Sequence, residues 1–207
     1  MYENTKIFEM TISEKDETVK KQILLAAMEV FKKWGLHKST MEDIAKAAEK
    51  GKSTLYYYYK SKEDIFEEAA RSEMDKIFQI SREAIADVST AKEKLKVYIT
   101  TVFREIKNRT DFYSVVAQEA LNDRKIVSSL VTYYHEIEEK IIRDIVKQVV
   151  ASKEFAFTSK NDESTAVFMI ALILRNLQIE FGVNRIADNI RPYTDMITNI
   201  LINGISK

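Results

Sequence analysis

The sequence predicts an all-α protein. Its 207 residues include 4 glycines and 1 proline, and this scarcity of helix breakers favours long helices over turn-rich sheets. Apolar side chains recur three or four positions apart along most of the chain, most clearly at Leu130, Tyr133, Ile137 and Ile141. Because 45% of the residues are hydrophobic, the chain can bury a substantial core in one or two domains. We therefore expect a protein built from packed helices.

The composition also limits the classes of function. The chain contains no cysteine, which excludes disulfides and thiolate chemistry. His37 and His135 are its only histidines, and their separation does not match metal-ligand spacing. The sequence contains no glycine-rich phosphate loop. We expect no enzyme activity, no cofactor and no metal site.

Nothing in the chain indicates a membrane protein. The first residues lack the apolar stretch of a signal peptide. The longest apolar run, residues 166–174, stops at Arg175 and is too short to span a bilayer. A cytoplasmic protein without membrane association is therefore expected.

The N-terminal part is predicted to begin with a flexible lead over residues 1–14. Ile23 and Ala27 belong to an apolar stripe that predicts a first helix over about residues 16–34. Gly35 is placed to end that helix as a C-cap.

Two short helices with a tight turn are predicted between Thr40 and Tyr59. Thr40 suits an N-cap, and Asp43, three residues later, can complete a capping box. Gly51 interrupts the first of these helices, so the second can begin at Lys52. This is the outline of a helix-turn-helix, whose second helix enters the major groove of DNA.

The surface chemistry of this segment suits DNA. Lysines are concentrated in it, and a local cluster can bind phosphates although the formal net charge of the whole chain is zero. Successive helical residues lie about 100° apart, so the four consecutive tyrosines cannot all face one core. We expect phosphate-backbone contacts from Thr40, Lys52, Thr54, Tyr56, Tyr58 and Lys62, and base-edge contacts from Ser53 and Tyr57. The alternative is that Tyr56 and Tyr59 pack inward with Leu55 while the other tyrosines merely lie on the surface.

A longer helix is predicted to follow. Ser61 suits its N-cap, and Glu63 in its first turn favours the helix dipole. The apolar pattern continues towards Val88, which makes the helix long enough to enter a second domain. We divide the chain accordingly into a helix-turn-helix domain over residues 15–61 and a helical domain over residues 62–207.

Two runs in this segment form a recognisable pattern, Thr40-x-x-Asp43-Ile44-Ala45-x-x-Ala48 and Lys52-x-Thr54-Leu55-Tyr56-x-Tyr58-Tyr59-x-Ser61-Lys62-Glu63. Together they resemble the DNA-binding signature of TetR-family transcriptional regulators. The resemblance covers about the first third of the chain. The sequence departs from the family pattern in the turn, where Glu49, Lys50 and Gly51 stand in place of the usual Gly, Val and Ser. Ser53 likewise stands where the family commonly has Gly.

The resemblance implies a sequence-specific regulator of transcription. It implies a homodimer formed through the last two helices, a palindromic operator of double-stranded DNA and a small-molecule inducer held by the second domain. The simplest such protein is a repressor that its inducer releases from the operator. Three alternatives stay open: an activator of the same architecture, a helical partner-binding protein with impaired DNA binding, and an enzyme built on a helical bundle.

The rest of the chain is predicted as helix over residues 91–109, 111–121, 126–152, 163–181 and 192–205, with a loop at 153–161. The helix over residues 163–181 is apolar nearly all round. It must therefore lie in the middle of the bundle or place one face against another subunit.

An inducer pocket would be mostly apolar with a few orienting polar groups. The candidate lining residues are Tyr98, Phe103, Phe112, Tyr113, Tyr134, Phe168, Leu172, Arg175 and Asn176. Arg175 interrupts an apolar helix, so its charge needs a partner. That partner is either an anionic ligand or a carboxylate, such as Glu119, Glu180 or one across the dimer.

Overall fold

The computed structural model describes residues 2–122, 124–152, 160–184 and 191–205. These residues form helices and no strand, which confirms the predicted all-α class. The helices are α1 (Tyr2–Lys38), α2 (Met41–Ala47), α3 (Lys52–Tyr58), α4 (Lys62–Ala86), α5 (Ala91–Asn108), α6 (Thr110–Asn122), α7 (Arg124–Ser152), α8 (Lys160–Asn184) and α9 (Arg191–Ile205). They form two compact units, Met1–Arg71 and Ser72–Lys207.

In the first unit, α1 is longer than predicted because it extends back to Tyr2. Residues 2–14 therefore have helical backbone where the sequence predicts a flexible lead, and their flexibility stays a prediction. Gly35 interrupts α1 with a φ of 73°, a conformation that glycine adopts without strain, before the last turn reaches Lys38. The buried stripe of α1, including Ile23 and Phe31, lies in the core of this unit.

The helix-turn-helix is present with its predicted capping box. Thr40 Oγ1 accepts a hydrogen bond from the Asp43 N–H at 3.1 Å, and Asp43 Oδ2 accepts one from the Thr40 N–H at 3.0 Å. In the turn, Glu49 adopts a φ of 54°. The Lys50 N–H donates to the Ala45 carbonyl at 3.0 Å. The turn therefore closes with a left-handed residue at the position where the family usually has glycine.

The first unit continues into α4. Ile65, Phe66 and Ala69 are fully buried. The ring of Phe66 meets that of Phe31 edge-on, with 5.3 Å between centroids. The first compact unit ends at Arg71, within α4. The predicted domain division at the start of α4 stays a prediction.

The second unit is a helical bundle. In it α8 packs on α6 and α7, and α5 packs on α7 and α9. The five helices predicted beyond residue 90 correspond to α5–α9, with ends that differ by a few residues. Of the predicted loop, residues 153–159 lie outside the described residues.

Helix α8 buries one face and exposes another. Its buried face includes Val167, Ile170, Ala171, Leu174 and Phe181, whereas Phe168, Met169 and Ile173 are exposed. By length and composition alone, the segment Glu163–Gly182 could cross a membrane, which the shorter apolar run considered in the sequence does not predict. The core helix of a soluble protein passes the same test, so this is weak evidence for a membrane span.

Candidate DNA-binding surface and ligand cavity

The exposed face of α3 carries four of the predicted DNA-binding residues. Leu55 within α3 and Tyr59, the C-cap that follows it, are buried. Lys52, Ser53, Tyr56 and Tyr57 are exposed and follow helical spacing on the outer side. Tyr57 is the most exposed of the four consecutive tyrosines at 76%, so its side chain is accessible to a ligand. The inward packing of Tyr59 agrees with the predicted alternative, whereas the exposure of Tyr56 does not.

Two other predicted contacts are engaged within the first unit. The hydroxyl of Tyr58 donates to Asp16 Oδ1 at 2.6 Å, and this hydrogen bond is the main cause that raises the pKa of Tyr58 to about 12. The hydroxyl of Thr40 donates to Asp43 Oδ2 at 2.6 Å. Thr54 is partly exposed. Contacts of these three side chains with phosphate stay predictions.

The structure gives Lys62 a different role from the predicted phosphate contact. Its Nζ donates to the backbone carbonyls of Leu36, His37 and Ser39 at 2.9, 3.0 and 2.9 Å. An ammonium group has three N–H donors, so all of them are used inside the first unit. A phosphate would have to displace at least one of these carbonyls.

A cavity of about 40 Å³ lies within the second unit. It is lined by one residue of α4 and by residues of α6, α7 and α8, namely Met74, Tyr113, Val116, Ala117, Leu130, Val131, Tyr134, Arg175 and Ile179. Three predicted ligand contacts, Tyr113, Tyr134 and Arg175, are among them. The other lining residues could not be predicted from the sequence. Their apolar side chains at helical spacing are equally typical of a packed core and of a cavity wall.

The remaining ligand candidates do not line this cavity. Phe103 packs edge-on against Phe181, with centroids 5.1 Å apart, and Phe112 is buried. Phe168 and Asn176 are exposed, and Leu172 is partly exposed. Their predicted contact with a ligand is not supported by the geometry of the cavity.

A chain of buried polar groups leads away from Tyr134. Tyr134 donates to Gln178 Oε1, and Gln178 Nε2 donates to Glu138 Oε1 at 2.8 Å. Tyr98, the remaining ligand candidate, donates to the same carboxylate oxygen at 3.4 Å. Burial raises the pKa of Glu138 to about 8, although Gln178, Tyr98 and Arg175 act to lower it. Glu138 is not among the residues predicted from the sequence. Its signal there is an acid four residues after Tyr134, within the apolar stripe of α7.

Arg175 lies at the cavity wall and is partly exposed. In the described part of the chain it forms no hydrogen bond or ion pair, so the alternative pairing with Glu119 or Glu180 is not observed there. The positive charge of Arg175 acts to lower the pKa of Glu138. No cluster of metal-ligating side chains occurs among the residues that the structure describes.

Residues 23–69 match the sequence model of the family described as bacterial regulatory proteins, tetR family. A fatty acid metabolism regulator protein of Bacillus subtilis (strain 168) is 39% identical over 82 residues, which cover 40% of this chain and 42% of that protein. The HTH-type transcriptional repressor KstR2 of Rhodococcus jostii (strain RHA1) is 28% identical over 149 residues, covering 72% of this chain and 60% of that protein. The matched regions thus span less than two thirds of the length of either relative.

The fold has solved counterparts. The crystal structure of the transcriptional regulator FadR from Bacillus subtilis in complex with stearoyl-CoA superposes with a TM-score of 0.76 at 24% identity, covering 89% of this chain and 98% of that one. At this identity the match shows the shared fold. These relatives are transcriptional regulators and not enzymes, which agrees with the prediction of no enzyme activity.

Proposed function

Because this chain belongs to the TetR family of bacterial regulatory proteins, we propose that it is a homodimeric repressor that a small-molecule inducer releases from a palindromic operator. The match of residues 23–69 to the family is the observation that carries this proposal. A DNA-binding regulator of this kind would act in the cytoplasm.

The exposed face of α3 supports DNA binding. Lys52 offers a cation, and Ser53 and Tyr57 offer hydroxyls, on the outer side of a helix whose inner side is packed. Hydroxyl and amine groups of this kind contact phosphates and base edges in the major groove. Lys52 Nζ lies 3.7 Å from Glu42 Oε2, and because this pair is exposed it can open to admit a phosphate at little cost.

Exposed apolar side chains support dimerisation through the last two helices. They follow helical spacing on α9 and cluster on α8, at Tyr193, Met196 and Ile200 and at Phe168, Met169 and Ile173. Apolar patches of this kind commonly mark protein–protein interfaces. A two-fold dimer would present two recognition helices to the two half-sites of a palindrome.

The cavity is evidence for an inducer with an apolar part. To enter, such an inducer must move the helices of the second unit apart. A volume of about 40 Å³ is far below the roughly 300–1,000 Å³ of typical ligand pockets. An inducer would therefore displace the walls, one of which is Met74 on α4. The same helix, α4, begins at Lys62 in the DNA-binding unit. Its displacement by an inducer would therefore alter operator binding. The inducer can shift the equilibrium only by its difference in affinity between the two states.

The class of inducer that we propose is an acyl-CoA. Support comes from the relative named as a fatty acid metabolism regulator and from the structural counterpart that holds stearoyl-CoA. The mostly apolar lining of the cavity suits an acyl chain.

Selection of bound sequences from random duplex DNA at two salt concentrations tests the DNA-binding function. We expect an enriched inverted repeat that binds more weakly at the higher concentration. Addition of stearoyl-CoA should then weaken operator binding, and a reporter gene should be expressed more strongly when the protein is absent. Failure to enrich any sequence would reject the proposal, and a reporter that needs the protein for expression would identify an activator.

Sedimentation tests the dimer. A variant with Met196→Glu and Ile200→Glu should sediment as a monomer, because it places charges in the proposed interface. Leu25→Glu, which changes an exposed apolar residue of α1, is the matched control and should remain dimeric. A dimeric double variant would rule out this interface.

A further inference from the structure

Arg175 is the one charged residue among those that line a mainly apolar cavity. Its neighbours in the lining include Leu130, Val131 and Ile179, which offer no counter-charge. Within the residues that the structure describes, the guanidinium forms no hydrogen bond or ion pair. A charged group that is partly withdrawn from water is favourable only when it meets an opposite charge or hydrogen-bond acceptors.

Glu138, whose pKa the charge of Arg175 acts to lower, does not neutralise that charge. Burial raises the pKa of Glu138 to about 8, so this carboxyl is mostly protonated at pH 7. Its Oε1 already accepts hydrogen bonds from Gln178 and Tyr98. Below pH 8, the guanidinium of Arg175 therefore lacks a compensating charge from this side of the cavity.

Two tyrosines line the cavity together with Arg175. They are Tyr113 and Tyr134, and Tyr134 is held by its bond to Gln178. The rest of the wall can take only an apolar group. The arrangement thus combines an almost wholly apolar wall with one cationic residue, Arg175, among those that line it.

We propose that Arg175 is the anchor for the anionic group of an amphipathic effector, whose hydrocarbon part occupies the cavity between α6, α7 and α8. This inference rests on the proposed function, since it assigns a role to one residue in the inducer site. Guanidinium groups bind carboxylates and phosphates through two parallel hydrogen bonds, so the shared chemistry is an oxyanion on an apolar chain. A free carboxylate and the phosphates of a coenzyme A thioester are two sources of that oxyanion.

The test compares three probes that share one hydrocarbon chain: dodecanoate, dodecanoyl-CoA and dodecanol. Affinities are measured by calorimetry at pH 7 on the full chain. We expect at least one anionic probe to bind wild type about tenfold or more tighter than dodecanol, since bonds to a charged group contribute that much. Preference for dodecanoate alone would assign the anchor to a carboxylate, and preference for dodecanoyl-CoA alone would assign it to the coenzyme phosphates.

Arg175→Met should abolish this preference while leaving dodecanol affinity within about twofold of wild type. Arg175→Lys keeps a cation and should retain part of the preference, which separates loss of charge from loss of fold. Arg143→Met is the matched control, because Arg143 pairs with Glu139 on α7 and does not line the cavity. Thermal unfolding of each variant checks that the bundle is intact.

Two results would overturn the inference: anionic probes that bind Arg175→Met as tightly as wild type, or a wild type that binds no anionic probe better than the alcohol. Operator binding by wild type and by the Arg143→Met control is measured on the same samples without probe. A wild type that binds no DNA would reject the proposed function, and the probe comparison would still decide the role of Arg175.

Discussion

The ammonium group of Lys62 donates a hydrogen bond to the carbonyl oxygen of Ser39 at 2.9 Å. Ser39 lies in the link between α1 and α2, and Lys62 is the first residue of α4. Two further bonds from the same nitrogen to Leu36 and His37 complete its hydrogen-bonding capacity. Lys62 thus ties the start of α4 to the C-terminal end of α1, where a positive charge is also favoured by the helix dipole.

Lys62→Met should weaken operator binding without changing its salt dependence. The variant leaves three carbonyls without their donor, and we expect it to destabilise the chain by about 1–3 kcal/mol. If Lys62 instead neutralised a phosphate, its removal would lower the slope of log affinity against log salt by about 0.9. Lys60→Met, at an exposed neighbouring lysine, is the control. A reduced slope in Lys62→Met would restore the phosphate contact predicted from the sequence.

Tyr57→Ala should change which DNA sequences are selected, because Tyr57 is exposed on the outer side of α3. Replacing a group that reads a base edge typically costs about 1–3 kcal/mol for the preferred base. Tyr58→Phe removes only the hydrogen bond to Asp16 and should leave the selected sequence unchanged. If Tyr57→Ala weakens binding to every sequence equally, Tyr57 does not read bases.

Glu49→Gly should stabilise the protein. Glu49 has a φ of 54°, which is unfavourable for a residue with a Cβ atom by about 1–2 kcal/mol. Part of this gain is offset because glycine makes the unfolded chain more flexible, so we expect a net stabilisation of about 0.5–1 kcal/mol. Chemical denaturation measures it, and equal or lower stability would show that Glu49 is not strained.

Gly182→Ala should destabilise the second unit. A Cβ atom at Gly182 would lie 2.8 Å from Tyr113 Cδ1 and 3.0 Å from Ala117 Cβ, so α8 could not pack as closely on α6. Overpacking of this kind costs about 1–3 kcal/mol. Gly51→Ala is the comparison, because its added Cβ would meet no atom closer than 3.7 Å. We expect a clearly lower melting temperature for Gly182→Ala than for Gly51→Ala. Equal melting temperatures would contradict the close approach of Gly182 to Tyr113 and Ala117.

Glu138→Gln should remove part of the dependence of stability on pH. Because burial raises the pKa of Glu138 from 4.5 to about 8, the folded state holds a proton that the unfolded state releases above about pH 4.5. The stabilisation that this proton gives is fully present below that pH and is lost as the pH rises through 8. Glutamine cannot ionise and can still accept a hydrogen bond from Gln178.

We therefore expect Glu138→Gln to be more stable than wild type at pH 9, by about 2–4 kcal/mol, and close to wild type at pH 4.5. Denaturant unfolding across this range measures the difference. Glu136→Gln, at an exposed position of the same helix, should follow the wild-type pH profile. A Glu138→Gln profile parallel to wild type would show that Glu138 is ionised in both states.

The DNA-binding unit was largely predictable because its signals are local. The Thr40–Asp43 capping box needs only two residues three positions apart, and the structure forms it as predicted. The inward side of α3 follows from helical spacing once Leu55 is taken as core. The role of Lys62 could not be predicted in this way, because its partners lie more than twenty positions away in sequence.

The ligand cavity was only partly predictable. Arg175 stands out in an apolar helix, and for that reason the sequence predicts either an anionic ligand or a carboxylate as its partner. Phe103 and Phe168 have the same apolar character as the lining residues, yet one is core and the other is exposed. The identity of an apolar side chain does not indicate which neighbour it will contact. Periodicity therefore predicts the buried side of a helix but not a cavity between helices.

The sequence by itself determined the helical class, the ends of most helices and the family of the first unit. These depend on interactions between residues close in the chain, such as caps, breakers and stripes. Only the tertiary structure decided that Lys62 binds backbone carbonyls, that Glu138 is buried among hydrogen-bond donors and that Arg175 meets the cavity with no partner among the described residues. Each of these results from the packing of helices distant in sequence, where contact distances and burial set the energy of a charge.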